Sequence, residues 1–385
     1  MFKEFNGCNE LKTKVLVFGT RVKTNVHFNG KHIEQVEKYK YLGNILNPVY
    51  SCKGDVFSKN YEYLIVQSRK AMFSIKKRLK SVGPLPPRIL IHLFENLVRP
   101  ILLYGSDVWG VNVSENMPID KLFFYYMRCV LHVKSTTSNV IVIGECGQLP
   151  PSIHCHINVL CYFNRLRHLP DSKIVKQVFD ELDRLHACGV KTWVTKAYEL
   201  AERYECDIVS NNPNFNKYCK LTISNHYKEN WSMEVTNIQR NPILRTYLMF
   251  KKDFGREKYL DVISNIHYRT AMSKLRTSSH TLEIERGRYT KPKTDVSKRL
   301  CPVCNEIEDE VHFLVKCKLY DSQRNIFFGK ISNNERVFDT FNDIEKFSFL
   351  MSSSDPQILV WTGKFIHKSL NARSNHYLTG AVASC

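Results

Sequence analysis

The sequence has no apolar run approaching the roughly 18 residues that a membrane-spanning helix needs. That excludes a helical membrane protein. It does not open on a charged region, an apolar stretch and a cleavage site in series, so no secretory leader is expected. Internal repeats and low-complexity tracts are missing as well. Negative charge is scarce: 37 Asp and Glu face 56 Lys and Arg, for a formal net charge of +19. The excess is spread along the chain, and a surface this basic favours a polyanion, of which nucleic acid is the commonest. Basic ribosomal, histone-like and membrane-surface proteins share the trait. The 13 cysteines without a leader imply a reducing, intracellular compartment, nuclear or cytoplasmic. There, closely spaced cysteines more often bind metal than form disulfides. With 385 residues, 43% of them hydrophobic, the chain is long enough for two or three modules.

The fold class expected is mainly α with a small N-terminal β unit. Lys14-Val15-Leu16-Val17-Phe18 before Gly19 suits a buried strand. Val26-His27-Phe28 and His32-Ile33 flank Asn29-Gly30, a strong hairpin signal because both turn positions require positive φ. Tyr39-Lys40-Tyr41-Leu42 before Gly43 can add a strand. From Phe57 the period changes. Tyr61, Leu64, Ile65, Ser68, Met72, Ile75 and Leu79 fall at helical spacing, while Arg69, Lys70, Lys76, Lys77, Arg78 and Lys80 lie mostly between them, giving one basic face. Pro84-Leu85-Pro86-Pro87 breaks this helix and Pro87 opens the next, which Pro100 bends or ends. Further helical patterns pass through Ile119 to Val130, Ile153 to Cys161, and Ser172, a plausible N-cap, to Gly189. Residues from Ser210 to about 260 are poorly patterned and read as a connector with some helix.

The sharpest chemical signal is Cys301-Pro302-Val303-Cys304 followed by His312 and Cys317, C-x2-C-x7-H-x4-C. A CxxC turn places two thiolates on one side of a Zn²⁺ ion, and His312 with Cys317 can close the other side from the start of a following helix. Four protein ligands leave no open position for water, so the zinc is expected to be structural. Chance coincidence and a redox CxxC are the competing readings. Against them, Lys298, Arg299, Glu306, Glu308, Asp309 and Glu310 flank the motif with charge, and no βαβ pattern surrounds it. Cys129, Cys155 and Cys161 lie on apolar helical faces and read as core, and His154 and His156 read as plain helix surface and core. Upstream, Arg269, Lys274, Arg276, Arg286, Arg288, Lys291, Lys293, Lys298 and Arg299 interleave with Tyr268 and Tyr289. Such a basic, aromatic approach suits single-stranded or structured nucleic acid, although a solvated loop looks similar.

Several blocks resemble, in order, the reverse transcriptases of non-LTR (LINE-type) retrotransposons, especially jockey-like elements of animals. Leu11-Lys12-Thr13-Lys14-Val15-Leu16-Val17-Phe18 is similar to the strand after the catalytic palm motif, and Ile33 to Gly43 to the stretch at the base of the palm. The most specific match is Leu97 to Gly110, with Pro100-Ile101-Leu102-Leu103-Tyr104-Gly105-Ser106-Asp107-Val108-Trp109-Gly110, which resembles a thumb block. Lys134 to Asn139, Gly144-Glu145-Cys146-Gly147-Gln148-Leu149-Pro150, Ile284 to Arg288 and Glu308-Asp309-Glu310-Val311-His312-Phe313-Leu314 continue it. The resemblance spans residues 11 to about 325.

The resemblance implies a remnant of the palm over residues 1–50, a helical thumb-like region over 51–170 and a helical connector over 171–265. After these come a basic zinc-binding module over 266–330 and a tail over 331–385. It implies RNA and DNA, including an RNA–DNA duplex, as partners, met by the backbone-binding cations Lys76, Lys77, Arg78 and Lys80 and the upstream basic set. The family is an RNA-directed DNA polymerase whose paired aspartates hold Mg²⁺. No Asp-Asp pair occurs here, so a C-terminal fragment without polymerase activity of its own is expected. The competing functions are a non-enzymatic zinc-containing nucleic-acid-binding or adaptor protein, and a zinc-stabilised protein-interaction module. Apolar strand surface exposed by the β unit would be an aggregation risk.

Overall fold

A computed structural model describes residues 13–19, 22–28, 30–48, 55–239 and 241–382, with side chains to residue 376. Leu11, Lys12 and Asn29 of the sequence reading lie outside the described residues. The chain is mainly helical, and two small hairpins form its N-terminal β part. In the first, Val26–Phe28 pairs antiparallel with Lys31–Ile33, with Gly30 at φ 73. In the second, Tyr39–Tyr41 pairs with Asn44–Leu46 across the Leu42-Gly43 turn, whose φ values of 45 and 90 are the positive pair a two-residue hairpin demands. The expected strand Lys14–Phe18 shrinks to one bridge, Val15 with Gln35. Phe18, Val22, Val26 and Phe28 are exposed, as expected for apolar strand surface without a covering layer.

The helices group into two compact units, each assembled from three stretches of chain. The first takes Met1–Lys77, Phe94–Leu122 and Pro151–Ser224; the second takes Arg78–Leu93, Phe123–Pro150 and Asn225–Cys385. The sequence boundaries at 170, 265 and 330 therefore fall inside packed units. The helix Ser58–Val82 buries Tyr61, Leu64, Ile65, Ser68, Met72 and Ile75, the face read from periodicity. Pro87 begins a helix as expected, and the chain then widens into a π-type turn over Phe94–Val98 before Arg99–Leu102. Pro100 has no N–H to close the regular bond to the preceding turn, which accounts for the widening. Ser172 is not a cap: the helix runs Ile174–Ala187 with Lys173 at its N-cap.

In the first unit the two blocks around Gly43 and Gly105 lock together. The Tyr104 hydroxyl donates to the Leu42 carbonyl (2.8 Å), and the Trp109 indole N–H donates to the Tyr104 carbonyl (2.8 Å). Trp109 is fully buried, with Tyr61 edge-on at 5.3 Å. Tyr104, whose place in the apolar Leu102-Leu103-Tyr104 run reads as core, is half-exposed instead and acts through its hydroxyl. His156 is core, held by the Tyr204 hydroxyl at 2.7 Å and the Val113 carbonyl at 2.9 Å, and burial pushes His154 down to about 3.

Gly105 has φ 71, and a Cβ there would lie 2.7 Å from the Asn44 amide, itself fixed by a hydrogen bond from Asn60 (3.1 Å). A Gly105→Ala variant is therefore expected to lose about 2 kcal/mol, from left-handed strain and displacement of Asn44. Urea unfolding of the two chains, giving superimposable curves, would show that the interlock does not constrain this position.

In the second unit, Glu145 sits at the centre. Arg276 donates Nε to its Oε2 (2.8 Å) and Nη2 to its Oε1 (3.0 Å), pairs with Glu257 (2.6 Å) and donates Nη1 to the Met351 carbonyl. Its guanidinium lies 4.4 Å from the Phe250 ring centroid. Gly147, at φ 62, lets the Arg256 backbone approach to where a Cβ would sit, 2.2 Å from its nitrogen. Residues 331–385, read as a tail, instead supply the helices Asp343–Ser352 and Pro356–Val382. Phe347, Leu350, Ile358, Phe365 and Ile366 are buried, and the second of these helices lies against Ile266–Arg276.

Candidate metal centre

The cysteine-histidine motif is built on a short knuckle. Leu300 bridges Ile307, the Cys301 N–H donates to the Glu306 carbonyl (2.7 Å), and the Asn305 N–H donates back to the Cys301 carbonyl (2.9 Å). Asn305 takes φ 57, a left-handed value that its short amide side chain tolerates. The opposite pair comes from a wide helical turn, His312–Lys316, whose first residue is His312 and whose C-terminal cap is Cys317. Asp309 caps this turn through the His312 N–H (2.8 Å).

One donor atom from each of Cys301, Cys304, His312 and Cys317 lies within 4.8 Å of every other, and among the described residues this is the only such group of His, Cys, Asp or Glu. The Cys317 sulfur is 3.7 Å from that of Cys301 and 3.8 Å from that of Cys304. His312 is buried, and its two nitrogens divide the work. Nδ1 lies 3.3 Å from the Glu306 carboxylate, while buried Nε2 has no hydrogen-bond partner. A buried imidazole nitrogen left unsatisfied beside three thiols is what a ligand awaiting a cation looks like. The Lys318 N–H points at the Cys304 sulfur (3.3 Å), a donor that favours thiolate. Burial pushes the Cys301 and Cys317 thiols up. The cluster could hold a metal ion with all four positions filled by protein.

The acidic flank of the motif serves as scaffolding, which its charge alone did not reveal. Glu308 is buried and takes a two-pronged bond from Arg373 (2.7 and 2.6 Å) as well as the Glu283 N–H (2.7 Å). Glu310, also buried, accepts from Arg245 (2.7 Å), Ser278 (3.0 Å) and His280 (3.0 Å). Burial opposes its charge, but His280 and Arg245 hold its carboxyl down to about 2. Arg324 fixes the far side by donating to the Cys317 carbonyl (2.7 Å).

Three cations expected to meet phosphate do not reach the surface; one of them, Arg299, is buried with its Nη1 donating to the Ile284 carbonyl (2.7 Å). Arg276 is committed to Glu145 and Glu257, and Arg269 is buried with its Nη1 donating to the Ile263 carbonyl (2.7 Å). Both sit on the inner face of the helix Ile266–Arg276, whose cationic pattern in sequence conceals their burial. Arg286 is exposed but paired with Glu283 (3.0 Å), Arg288 is paired with Glu285 (2.9 Å), and Lys274 is half-buried. Lys291, Lys293 and Lys298 are exposed in the loop before the knuckle, beside exposed Tyr289. On the helix Ser58–Val82, Lys77, Arg78 and Lys80 are exposed, and Lys76 is half-buried with its ammonium 5.8 Å from the Phe73 ring centroid. No described helix is long and apolar enough to cross a membrane. No family model matches the chain, and no curated protein or solved structure matches it either.

Proposed function

We propose that this chain is the C-terminal part of a LINE-type reverse transcriptase, working as a nucleic-acid-binding, zinc-stabilised segment rather than as the polymerase centre. The observation that carries the reading is the knuckle itself. Two bonds of about 2.3 Å opening at a tetrahedral angle of about 109° set sulfur atoms about 3.8 Å apart. The measured separations of 3.7 and 3.8 Å match that value. Three thiolates and an imidazole are the donor set of structural zinc, and the Glu306–His312 pair is the outer support such imidazoles use. Cys301, Cys304, His312 and Cys317 would hold the ion, which would brace the knuckle that follows the exposed loop carrying Lys291, Lys293 and Tyr289.

The palm-remnant and thumb assignments are supported by the lock between Leu42-Gly43 and Tyr104-Gly105, since both partners come from blocks that resemble the family. With no Asp-Asp pair in the chain, the part it plays is to grip the backbone. Exposed lysines neutralise phosphates one by one, and Tyr289 offers a face to an unpaired base.

Fluorescence anisotropy with a labelled RNA–DNA duplex tests this. Affinity is expected to fall steeply with salt and to be abolished by heparin. Lys291→Glu with Lys293→Glu should weaken it and reduce the log–log salt slope by about 2, one phosphate contact per lysine. Binding indifferent to salt and heparin, or none at low salt, would instead favour a protein-interaction module.

A further inference from the structure

In the second unit the helices Asp321–Asn334 and Pro356–Val382 lie side by side. They close on each other through Phe327 and Phe365, both buried, with ring planes 12° apart and centroids at 4.8 Å. Beside this stack the two helices leave an open hollow of about 150 Å³, lined by those rings together with Ile326 and Trp361. Ile326 is 68% exposed and Trp361 half-buried, so the wall is apolar surface in contact with water. Lys330, Lys364 and Lys368 stand at its rim, all exposed and none in an ion pair among the described residues.

We propose that this hollow seats an acidic amphipathic helix belonging to another protein. The site stands apart from the reading of the chain as part of a reverse transcriptase. Charge selects the sign of the partner. The helix Pro356–Val382 contains no Asp or Glu, and the one acid of Asp321–Asn334, Asp321, is already paired with Arg324 (2.6 Å). Three lysines therefore face outward without a local counter-charge, and a partner carrying carboxylates supplies it. Spacing selects the partner's form. Trp361, Lys364 and Lys368 fall at i, i+3 and i+7 on one helix, and Gln323, Ile326 and Lys330 repeat the pattern on the other. Two such ridges extend over two turns, about 10 Å, and a third helix packs between them. It would set one apolar side chain against Ile326 and Trp361 and turn glutamates toward the lysines. An apolar space of about 150 Å³ takes one group as large as benzene, the bulk of a single Leu or Phe side chain.

A nucleic-acid strand fits this hollow less well. Unpaired bases bind by stacking on exposed ring faces, and Phe327 and Phe365 cover each other. Trp361 alone among the lining rings has surface to offer, while Ile326, the most exposed apolar group here, has no ring at all. A second copy of the chain fits less well too, since two apposed hollows would bring two sets of three lysines together.

The test is fluorescence anisotropy on the metal-loaded full chain at physiological salt. The probe is a labelled helical peptide of about 15 residues with leucine along one face and glutamate on both sides of it. Saturable binding in the micromolar range is expected, and a peptide of the same composition with its leucines scattered should not compete. Ile326→Ser should weaken binding about ten-fold by removing one apolar contact. Lys364→Glu with Lys368→Glu should weaken it at least about ten-fold by turning attraction into repulsion. The charge-reversed chain should in turn prefer a peptide whose glutamates are replaced by lysines. All three positions are exposed, so the variants are expected to melt with the parent. No binding to the parent, equal binding to parent and variants, or equal competition by the scattered peptide overturns the proposal. So does an oligouridine that displaces the peptide and itself loses affinity in Ile326→Ser, which would give the hollow to nucleic acid. Self-association of the parent that Ile326→Ser abolishes, read by sedimentation, would overturn it in favour of a second copy.

Discussion

A chain carrying both Cys301→Ser and Cys304→Ser is expected to lose its bound zinc and to melt roughly 10–20 °C lower than the parent. The two substitutions remove one entire side of the ligand set, leaving His312 and Cys317 with no ion to share. A structural zinc site in a small finger contributes about 10–16 kcal/mol to folding. Here the knuckle is also held by neighbours that the substitutions leave intact: Arg373 on Glu308, and Arg245 and His280 on Glu310. The expected loss is therefore a part of that figure, about 4–5 kcal/mol, comparable with the largest single-site effects. In a unit of this size, each kcal/mol moves the midpoint by about 2–4 °C. Elemental mass spectrometry and calorimetry on both chains measure the two quantities. Zinc-free wild-type protein would sink the metal assignment. Zinc retained by the double variant would show that the ion sits elsewhere.

The second large effect is expected at Arg276. Replacing it with alanine leaves Glu145, fully buried, facing Glu257 without the charge that compensated both. Burial disfavours the charge on Arg276, yet Glu145 and Glu257 hold it well above its ordinary range. Breaking one partner out of a buried cluster costs about 3–5 kcal/mol, because the remaining carboxylate must be protonated or solvated. A chain with Arg276→Met, Glu145→Gln and Glu257→Gln together should recover part of that loss, since no bare charge remains. Urea midpoints separate the cases. An Arg276→Ala midpoint within about 1 kcal/mol of wild type would show that water reaches the cluster. If the alanine chain folds at low temperature, its affinity for an RNA–DNA duplex should equal that of the parent, because Arg276 is buried and committed to carboxylates.

Arg276 also marks the limit of what the sequence discloses. In the string it belongs with Arg269, Lys274 and Arg286 as one basic approach, and nothing local separates the buried from the exposed. The carboxylates that capture it, Glu145 and Glu257, are 131 and 19 residues away in the chain. The knuckle was legible because its ligands lie within seventeen residues and metal chemistry restricts their spacing. The helix Ser58–Val82 was legible because its apolar face keeps to one side. The helix Phe215–Thr236 was not: Phe215, Cys219, Ile223, Tyr227, Trp231 and Val235 are buried at a strict interval of four. Each step of four advances about 40° beyond a full turn, so this one-residue-wide stripe winds around the helix and leaves no polar side to read. Glu308 and Glu310 were seen only as charge, because their partners Arg373 and Arg245 are also distant.

The order in which the chain is made bears on how each unit can close. Residues Arg78–Leu93 and Phe123–Pro150 of the second unit emerge from the ribosome long before Asn225–Cys385, the stretch they pack with. At about 5–20 residues per second, roughly 15–60 s separate the appearance of Leu93 from that of Cys385. During that interval Glu145 has neither Arg276 nor Glu257, and the Val140 carbonyl lacks the Trp231 indole that donates to it. Stalling translation anywhere before Arg373 would leave the second unit without the residue that braces Glu308 behind the knuckle.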